Sequence, residues 1–563
     1  MTHLSPQLPA EDASLGSETL TDGLVTRSLE SVQDTVDPRL TPDSRPDNTL
    51  VDETLGHQLR SIITRHSGHY GAPTLNKLES QADEEPIYVE FKEGDERDPI
   101  NFPRRKKWLI TFIVCSSTIM ASMTAAAYNL GFPSMMRDLH CTQFQATIGL
   151  SVFPLGFAIV PLVTASLSEE LGRRPLYIYS GIGYLLMYMT IALAKNIETV
   201  ILARFLQGAF GSTGATMVGG TIADIWTSRE RGLPMSIFAF AAVGGTGLGP
   251  LFSGWVEMNP HLEWRWIQWI QMIMFAVYLC SVPIFVDETR SAVLLTKMAR
   301  QLRKDTGDHR YRARIEDERD SLKTLIFISC TRPVRLMLTE PVVISFSLWI
   351  GFAWGVLFCL LESISDTFRR LHNFNTGQVG SVFITMTIGS VLGSLTNISQ
   401  ERLYQKYASS RGPEARLYWA CGASVLFPIG MFIYAWSAFP SIPWFAQAIG
   451  IVIFMWAAFI MYLAVFSYLA DCYGPFASSA LAGQSLLRNV LASIFPLFTT
   501  QMFQKLHYQW ASTLLALIAC LMIPIPFILF FYGHHIRKLS TFSRAVIEMQ
   551  EKAANNNATD EKQ

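Results

Sequence analysis

Three ionisable residues stand in stretches that otherwise exclude charge. Arg204 is the one Asp, Glu, Lys or Arg in residues 199–223, and Arg488 is the one in 475–504. Glu362 directly follows the charge-free run 341–361, with Asp366 one helical turn further on. An acid in apolar surroundings can take up or release a proton as its exposure and neighbouring charge change. It can equally hold a cationic ligand. An arginine in such a run must face a cavity or a partner, because a charge in hydrocarbon is expensive. Gln484, Ser485 and Asn489 flank Arg488, a polar set that suits either an anionic ligand or a pair with an acid. Different chemistry is offered by Leu167-Ser168-Glu169-Glu170-Leu171-Gly172-Arg173-Arg174-Pro175. Gly172 permits a tight turn. Arg173 and Arg174 carry forks that can clamp a carboxylate or the carbonyls that end a helix.

No enzyme constellation accompanies these residues. The sequence has no Gly-x-x-x-x-Gly-Lys-Ser/Thr, no His-Glu-x-x-His and no Cys-x-x-Cys. His534-His535 merely flanks the last apolar run, and the glycine run 244–254 has no strand before it. The reading is a protein that is not an enzyme and that takes no cofactor, metal or ATP.

The elements that must position the charges follow from composition. Half of the 563 residues are hydrophobic and 16% are charged, against about 25% charged in soluble proteins. The 45 Lys+Arg balance 46 Asp+Glu, which excludes a basic nucleic-acid binder. Residues 1–107 are polar and read as a disordered cytosolic tail. Residues 108–533 hold twelve apolar runs, each near the roughly 20 residues that a bilayer-crossing helix needs. The longest, 417–470, splits at Phe439-Pro440-Ser441-Ile442-Pro443. A charged connection divides six runs from six. The expected organisation is therefore a first half over 108–287, a cytosolic linker over 288–340, a second half over 341–533 and a cytosolic C-terminal tail over 534–563. Loop cations set orientation. Arg104, Arg105, Lys106, Lys107, Arg173, Arg174, Arg231, Arg537 and Lys538 all fall on one side, with both termini cytoplasmic. The fold class is an all-α membrane protein with twelve transmembrane helices in two six-helix halves. Such halves commonly hold a ligand between them.

Two further strings narrow the reading. The fourth run contains Arg204-Phe205-Leu206-Gln207-Gly208, then Gly211, Gly214, Gly219 and Gly220, then Ala223-Asp224. The fifth contains Gly244-Gly245-Thr246-Gly247-Leu248-Gly249-Pro250-Leu251-Phe252-Ser253-Gly254. Small residues let helices approach closely, and Pro250 removes one backbone hydrogen bond. With the Leu167–Pro175 loop string, these resemble the three signature motifs of the major facilitator superfamily. More narrowly, the chain is similar to the fungal twelve-span drug:proton antiporters. Asp98-Pro99-Ile100-Asn101, Ala223-Asp224-Ile225-Trp226, Trp264-Arg265-Trp266-Ile267-Gln268-Trp269, Asp287-Glu288-Thr289 and Tyr468-Leu469-Ala470-Asp471-Cys472-Tyr473 carry that narrower likeness. It covers about residues 98–540. Ala165-Ser166 stands where the family usually has Gly-Pro, and Ser253 where a second glycine is common.

The resemblance implies rocker-switch alternating access, with protons entering as cargo leaves. It gives Arg204 a part in proton coupling, by biasing a nearby acid or proton path; the acid expected to take the proton or a cationic cargo is Glu362, one of few acids within the runs. The resemblance assigns gating to Glu169, Gly172, Arg173, Arg174, Asp224 and Arg231, and the antiporter string to Gly245, Gly249, Pro250 and Gly254. A cavity is expected to be lined by Asn129, Phe238, Phe240, Trp354, Phe358, Thr385, Trp456, Tyr462, Gln484 and Arg488. The implied function is proton-coupled export of small organic compounds such as toxic secondary metabolites, antifungal drugs or polyamines. Proton-coupled uptake and a non-transporting sensor on the same fold are the alternatives. The expected partners are the cargo, protons and the lipid bilayer, with no nucleic acid. The expected state is a monomer in the plasma membrane, with the vacuolar membrane as the alternative.

Overall fold

The computed structural model describes residues 86–547 apart from positions 93, 228–229, 318–321, 541 and 545. Residues 1–85 of the expected N-terminal tail and 548–563 of the C-terminal tail lie outside the described residues.

Helices dominate. The first half holds α1 (Arg104–Ala127), the short α2 (Phe132–Leu139), α3 (Gln143–Ile159), α4 (Pro161–Leu171), α5 (Arg173–Ala192), α6 (Ile197–Ile225), α7 (Gly232–Glu257) and α8 (Glu263–Phe285). The connection contributes α9 (Ser291–Thr306), α10 (Arg314–Asp317) and α11 (Leu322–Thr339). The second half holds α12 (Pro341–His372), α13 (Thr376–Val382), α14 (Ile384–Arg411), α15 (Tyr418–Trp436), α16 (Trp444–Tyr473), α17 (Ala477–Met522) and α18 (Pro524–Leu539). Among the described residues, seven helical segments are long and apolar enough to cross a membrane, or eight if the bent pair α3–α4 is one span. Two of the seven, Thr376–Trp436 and Ala477–Leu539, each contain two of the expected runs. The runs in α5 and α6 form helices of 20 and 29 residues, diluted by Arg, Tyr, Thr and Gly.

The local boundaries have local causes. Thr142 and Gln145 form a capping box that starts α3, Asn375 and Gln378 do the same for α13, and Asn196 caps α6. Pro161 opens α4 after a 45° bend. His507, at φ 60° and ψ 166°, breaks α17. Arg265, from the Trp264–Trp269 string, ties α8 to the end of α5. Its guanidinium donates to Ala192 O (2.6 Å) and Ala194 O (2.8 Å) and pairs with Asp138.

The small residues of α7 serve two seams. A Cβ at Gly249 would lie 2.2 Å from Met123 O, and one at Gly245 would lie 2.9 Å from Ser122 Cβ, both on α1. A Cβ at Gly254 would lie 2.7 Å from Thr376 O of α13, and one at Gly247 would lie 2.5 Å from Phe383 O. The first seam lies within one half and the second joins the two halves. Hydrogen bonds extend the second: Thr387 Oγ1 donates to Gly244 O (3.0 Å) and Trp255 Nε1 to Ser381 Oγ (3.1 Å).

Both described tail segments are tied down, so the sequence boundaries at 107 and 534 fall inside ordered structure. Strand β1 (Ile87–Tyr88) pairs in parallel with β2 (Tyr311–Arg312). Val89 is buried with Ala299 and Ala313 against Leu295, Met298 and Leu302. Arg303 fixes this cluster by donating from both terminal nitrogens to the Glu316 carboxylate, each at 3.0 Å. At the other end, Arg537 is buried and pairs with Glu414 at 2.7 Å. Glu340 accepts from Tyr473 OH, Ser540 Oγ and Phe542 N. Composition alone marks these segments as polar, but each has a partner distant in sequence.

Gly249→Leu forces a side chain into the α1 seam, so it is expected to destabilise the protein by about 2 kcal/mol or more. Gly232→Ala, where a Cβ meets nothing within 4 Å, is expected to leave stability unchanged. Thermal melting of the two purified variants checks the contrast.

Candidate functional site

A cavity of about 470 Å³ lies between the halves. Its walls come from α1, α3, α4, the start of α5, α6 and α7 on one side and α12, α16 and α17 on the other. Its lining is mostly apolar and includes Phe153, Phe157 and Phe238. It runs from Phe358 and Asn489 at depth to Glu169, Arg173 and Ser478. These last residues belong to the face that carries Arg231 and Arg416, called the basic face below. At the far end the halves touch. Asn129 Nδ2 donates to Leu361 O (2.5 Å), and Thr147 Oγ1 donates to Glu362 Oε1 (2.9 Å).

Of the ten residues expected to line a cavity, the structure brings six to this one: Phe238, Trp354, Phe358, Tyr462, Gln484 and Arg488. The other four sit elsewhere. Asn129 belongs to the far-end seam. Phe240 packs along its own helix against Gly244. Thr385 turns back to Val382 O, and Trp456 Nε1 donates to Thr396 Oγ1 (2.8 Å) between α14 and α16. Aromatic and polar residues occur on every face of these helices, and sequence position gives their depth but not their azimuth.

The two intramembrane arginines differ sharply. Arg204 is fully buried. It donates to Gly149 O (3.2 Å), Thr124 O (3.3 Å) and Gln207 Oε1 (2.9 Å), and lies 4.3 and 4.4 Å from the Tyr128 and Phe153 ring centres. Glycines 156 and 208 make this possible by bringing α3 and α6 into backbone contact. Among the described residues no carboxylate pairs with Arg204. It staples α1, α3 and α6 together. Arg488 is open to the cavity. Its carbon lies 4.9 Å from the Trp354 ring centre and 5.3 Å from that of Tyr462, and Nη2 donates to Ser485 Oγ (3.3 Å). It too has no carboxylate partner among the described residues.

Glu362 bridges the halves. Thr147 of α3 donates to one oxygen and Thr500 of α17 to the other (3.4 Å). Phe358, one turn away on α12, lines the cavity. Asp366 lies further out, paired with Arg370 at 2.6 Å and accepting from Tyr508 OH.

The loop string builds a latch at the basic face. Gly172 adopts φ 90°, and a Cβ there would lie 2.3 Å from Glu288 Oε2. Glu288 is buried and accepts from Arg173 N (2.9 Å) and Arg174 N (3.2 Å). A carboxylate from beyond α8 thus caps the N-terminus of α5, where backbone N–H groups lack partners and the helix dipole favours negative charge. The Arg173 side chain pairs with Asp224 at 2.5 Å. Gly220 leaves it room, since a Cβ there would lie 2.5 Å from Arg173 Nη2. Arg174 donates to Pro283 O (2.7 Å), and Arg231 donates to Ala223 O (3.0 Å) at the end of α6. Glu169 stays exposed at the cavity mouth, without a hydrogen-bond partner among the described residues.

Glu288 was not singled out in the sequence, although it stands in the Asp287-Glu288-Thr289 stretch straight after an apolar run. The second half carries a counterpart with no matching string. Arg416 pairs with Asp471 (3.0 Å) and Glu401 (2.8 Å), and Glu414 with Arg537. An acid immediately beyond a span, with a Gly-Arg turn elsewhere to receive it, is the signal that would have found Glu288.

Glu288→Ala uncaps α5 and leaves buried donors unmatched, so it is expected to cost about 1–3 kcal/mol. Glu169→Ala, at a residue without a partner, is expected to change stability little. The melting temperatures of the two variants decide.

The comparisons agree with this architecture. The family model of the Major Facilitator Superfamily matches residues 114–496. The chain is 32% identical over 484 residues to a citrinin biosynthesis cluster MFS transporter, mrr1, of Monascus ruber, covering 84% of this chain and 97% of that one. It is 32% identical over 469 residues to the MFS-type efflux pump MFS2 of Trichophyton rubrum, covering 82% and 78%. Among solved structures, the human organic anion transporter MFSD10 (TETRAN) superposes with a TM-score of 0.53 at 14% identity, covering 75% of this chain and 99% of that one, a likeness of fold alone. With this family match laid over two helical halves around one cavity, the chain belongs to the Major Facilitator Superfamily.

Proposed function

We propose that the protein is a proton-coupled exporter of small organic compounds. In this reading it is a monomer in the plasma membrane, with both termini and the basic face cytoplasmic. The observation that carries the reading is the joint geometry of the cavity and Glu362. The cavity reaches the basic face, while a carboxylate bridges the halves at the closed far end. The relatives named as an efflux pump and as a biosynthesis-cluster transporter support export and a metabolite-like cargo.

The cycle follows from solvation. Cargo enters from the basic face and meets apolar and aromatic walls. Rocking of the halves must break the Thr147–Glu362 bridge and open the far end to water. Cargo leaves there, and Glu362 takes a proton. Protonation removes the charge that closure would strip of water, so that end shuts again. The proton then has one helical turn, about 6 Å, to pass before it reaches the cavity beside Phe358. Arg204 holds α1, α3 and α6 as one body during the rocking. The Glu288–Arg173–Asp224 latch ties the basic ends of α5, α6 and α8 within the first half, so that half moves as a unit.

Glu362→Gln keeps the side-chain shape but cannot carry a proton. In a yeast strain stripped of its own efflux pumps, the parent protein is expected to expel one or more of a panel of azoles, polyamines and polyketide pigments. That efflux should rise as external pH falls and collapse with a protonophore. At equal surface abundance, Glu362→Gln is expected to lose at least tenfold of the concentrative efflux and its pH dependence. Unchanged pH-dependent efflux in the variant overturns the role of Glu362, and proton-driven accumulation overturns export.

A further inference from the structure

Among the described residues, the two arginines inside the apolar runs, Arg204 and Arg488, have no carboxylate partner, and of the two only Arg488 lines the cavity. Arg204 has three acceptors and two rings around it and no exposed surface, so that its one unpartnered nitrogen, Nη2, is sealed away from any ligand. Arg488 has one hydroxyl acceptor, Ser485 Oγ. It lies eleven residues into α17, about 16 Å along the helix axis, which is near mid-membrane depth. Its Nε is out of contact with water and has no hydrogen-bond partner. Gln484, one residue-turn away on the same wall, is 3% exposed, and its Nε2 is likewise buried without a partner.

The remaining charge in the cavity does not offset Arg488. Arg173 and Glu169 line the mouth, and Arg173 is already paired with Asp224. The deep end therefore holds one uncompensated positive charge and two spare donors. Rings set the shape of the space beside it. Trp354 and Tyr462 lie 5.2 Å apart at 33°, and the guanidinium rests over both. A guanidinium stacked by its face keeps its N–H groups in the plane, directed past the rings, in the fork that matches a carboxylate. Phe358 continues the aromatic wall.

We propose that the cavity selects planar organic anions, with Arg488 and Gln484 receiving an anionic group such as a carboxylate or phenolate and Trp354, Tyr462 and Phe358 receiving the attached ring system. This assignment rests on the exporter reading above and adds the cargo class. A cation of the same shape meets the Arg488 charge without an acid to offset it. A neutral ester of the same acid leaves the Arg488 donors unmatched, which a site built around polar partners rejects.

Two xanthene dyes of opposite charge separate the outcomes. Pump-stripped yeast producing the full-length protein is loaded with fluorescein, as its diacetate, or with rhodamine 6G, and energised efflux is followed. Fluorescein is expected to leave at least tenfold faster than rhodamine 6G, relative to cells without the protein. In the parent protein, external and preloaded 2-naphthoate should compete with fluorescein, and methyl 2-naphthoate should not; this arm needs no variant. Arg488→Gln at matched surface abundance is expected to lose at least tenfold of fluorescein efflux. Arg488→Lys, which keeps the charge without the planar fork, is expected to recover part of it. Export of rhodamine 6G without fluorescein, equal competition by the methyl ester, or full fluorescein efflux in Arg488→Gln each overturns the anion assignment and leaves the exporter reading standing. Absence of energised efflux of either dye and of every compound in the wider panel overturns the exporter reading and this assignment with it.

Discussion

Hydrocarbon supplies no hydrogen bonds, so every polar group within the span must find its partner inside the protein or face a cavity. That constraint organises the interior. Arg204 meets most of it with carbonyls from two other helices, a glutamine and two aromatic rings, leaving only Nη2 without a partner, and becomes a staple because its partners lie on α1 and α3. The tyrosines nearby obey it too, with Tyr188 OH bonded to Thr124 Oγ1 and Tyr177 OH to Thr221 Oγ1 at 3.0 Å. Arg488 satisfies it only in part, with one hydroxyl and two rings, and it does so on the wall of the cavity between the halves. The difference between a sealed and an open arginine separates scaffold from binding surface.

The same economy of partners explains the glycines. A charged side chain can be buried between helices only where the backbones come close enough to offer their carbonyls. Gly156 and Gly208 bring α3 to α6, and Gly220 gives the Arg173 guanidinium its bed. In α7 the small residues act on two sides, one against α1 and one across the interface with α13. A helix that is thin on both sides can stay packed to its own half while lying against the other. Rocking of two rigid halves requires that geometry. Ser253 at a position where the family commonly has glycine is accommodated because its hydroxyl folds back to Gly249 O at 3.0 Å.

At the basic face, a buried loop acid and an Arg–Asp pair recur in both halves with the charges rearranged. In the first half the acid Glu288 comes from beyond the sixth span and caps the loop backbone, while Arg173 pairs with Asp224. In the second, Arg416 pairs with Asp471, and the loop itself carries the acid, Glu414, against Arg537 from the twelfth span. Each latch lies within one half, so it stiffens that half and does not tie it to the other. The far-end bridges from Asn129 and Thr147 are a few hydrogen bonds with no ion pair among them.

Much of this was legible in the sequence, because the physics behind it is local. Twelve apolar runs, their proline and glycine punctuation, the three charges inside them and the Gly172 turn depend on residue type and spacing alone, and the structure places helices on all of those runs. The loop string offered arginine forks for a carboxylate or a helix end, and the fold supplied both, Asp224 for Arg173 and Pro283 O for Arg174. Azimuth and long-range pairing were not legible. Asn129 and Glu362 both sit at plausible depths, yet hydrogen bonds to the opposite half put each of them in the far-end seam and not in the cavity. Trp456 and Tyr462 are six residues apart on one helix and face different neighbours, Thr396 and Trp354. Glu288, Glu340 and Glu414 look like ordinary loop acids until the fold brings a helix N-terminus, a C-terminal serine or an arginine from another span against them. The sequence by itself determined which segments leave water and which residues carry charge into the apolar region. Only the tertiary structure decided which of those charges is sealed and which stays open to a ligand, because that depends on where the neighbouring helices place their carbonyls, rings and empty space.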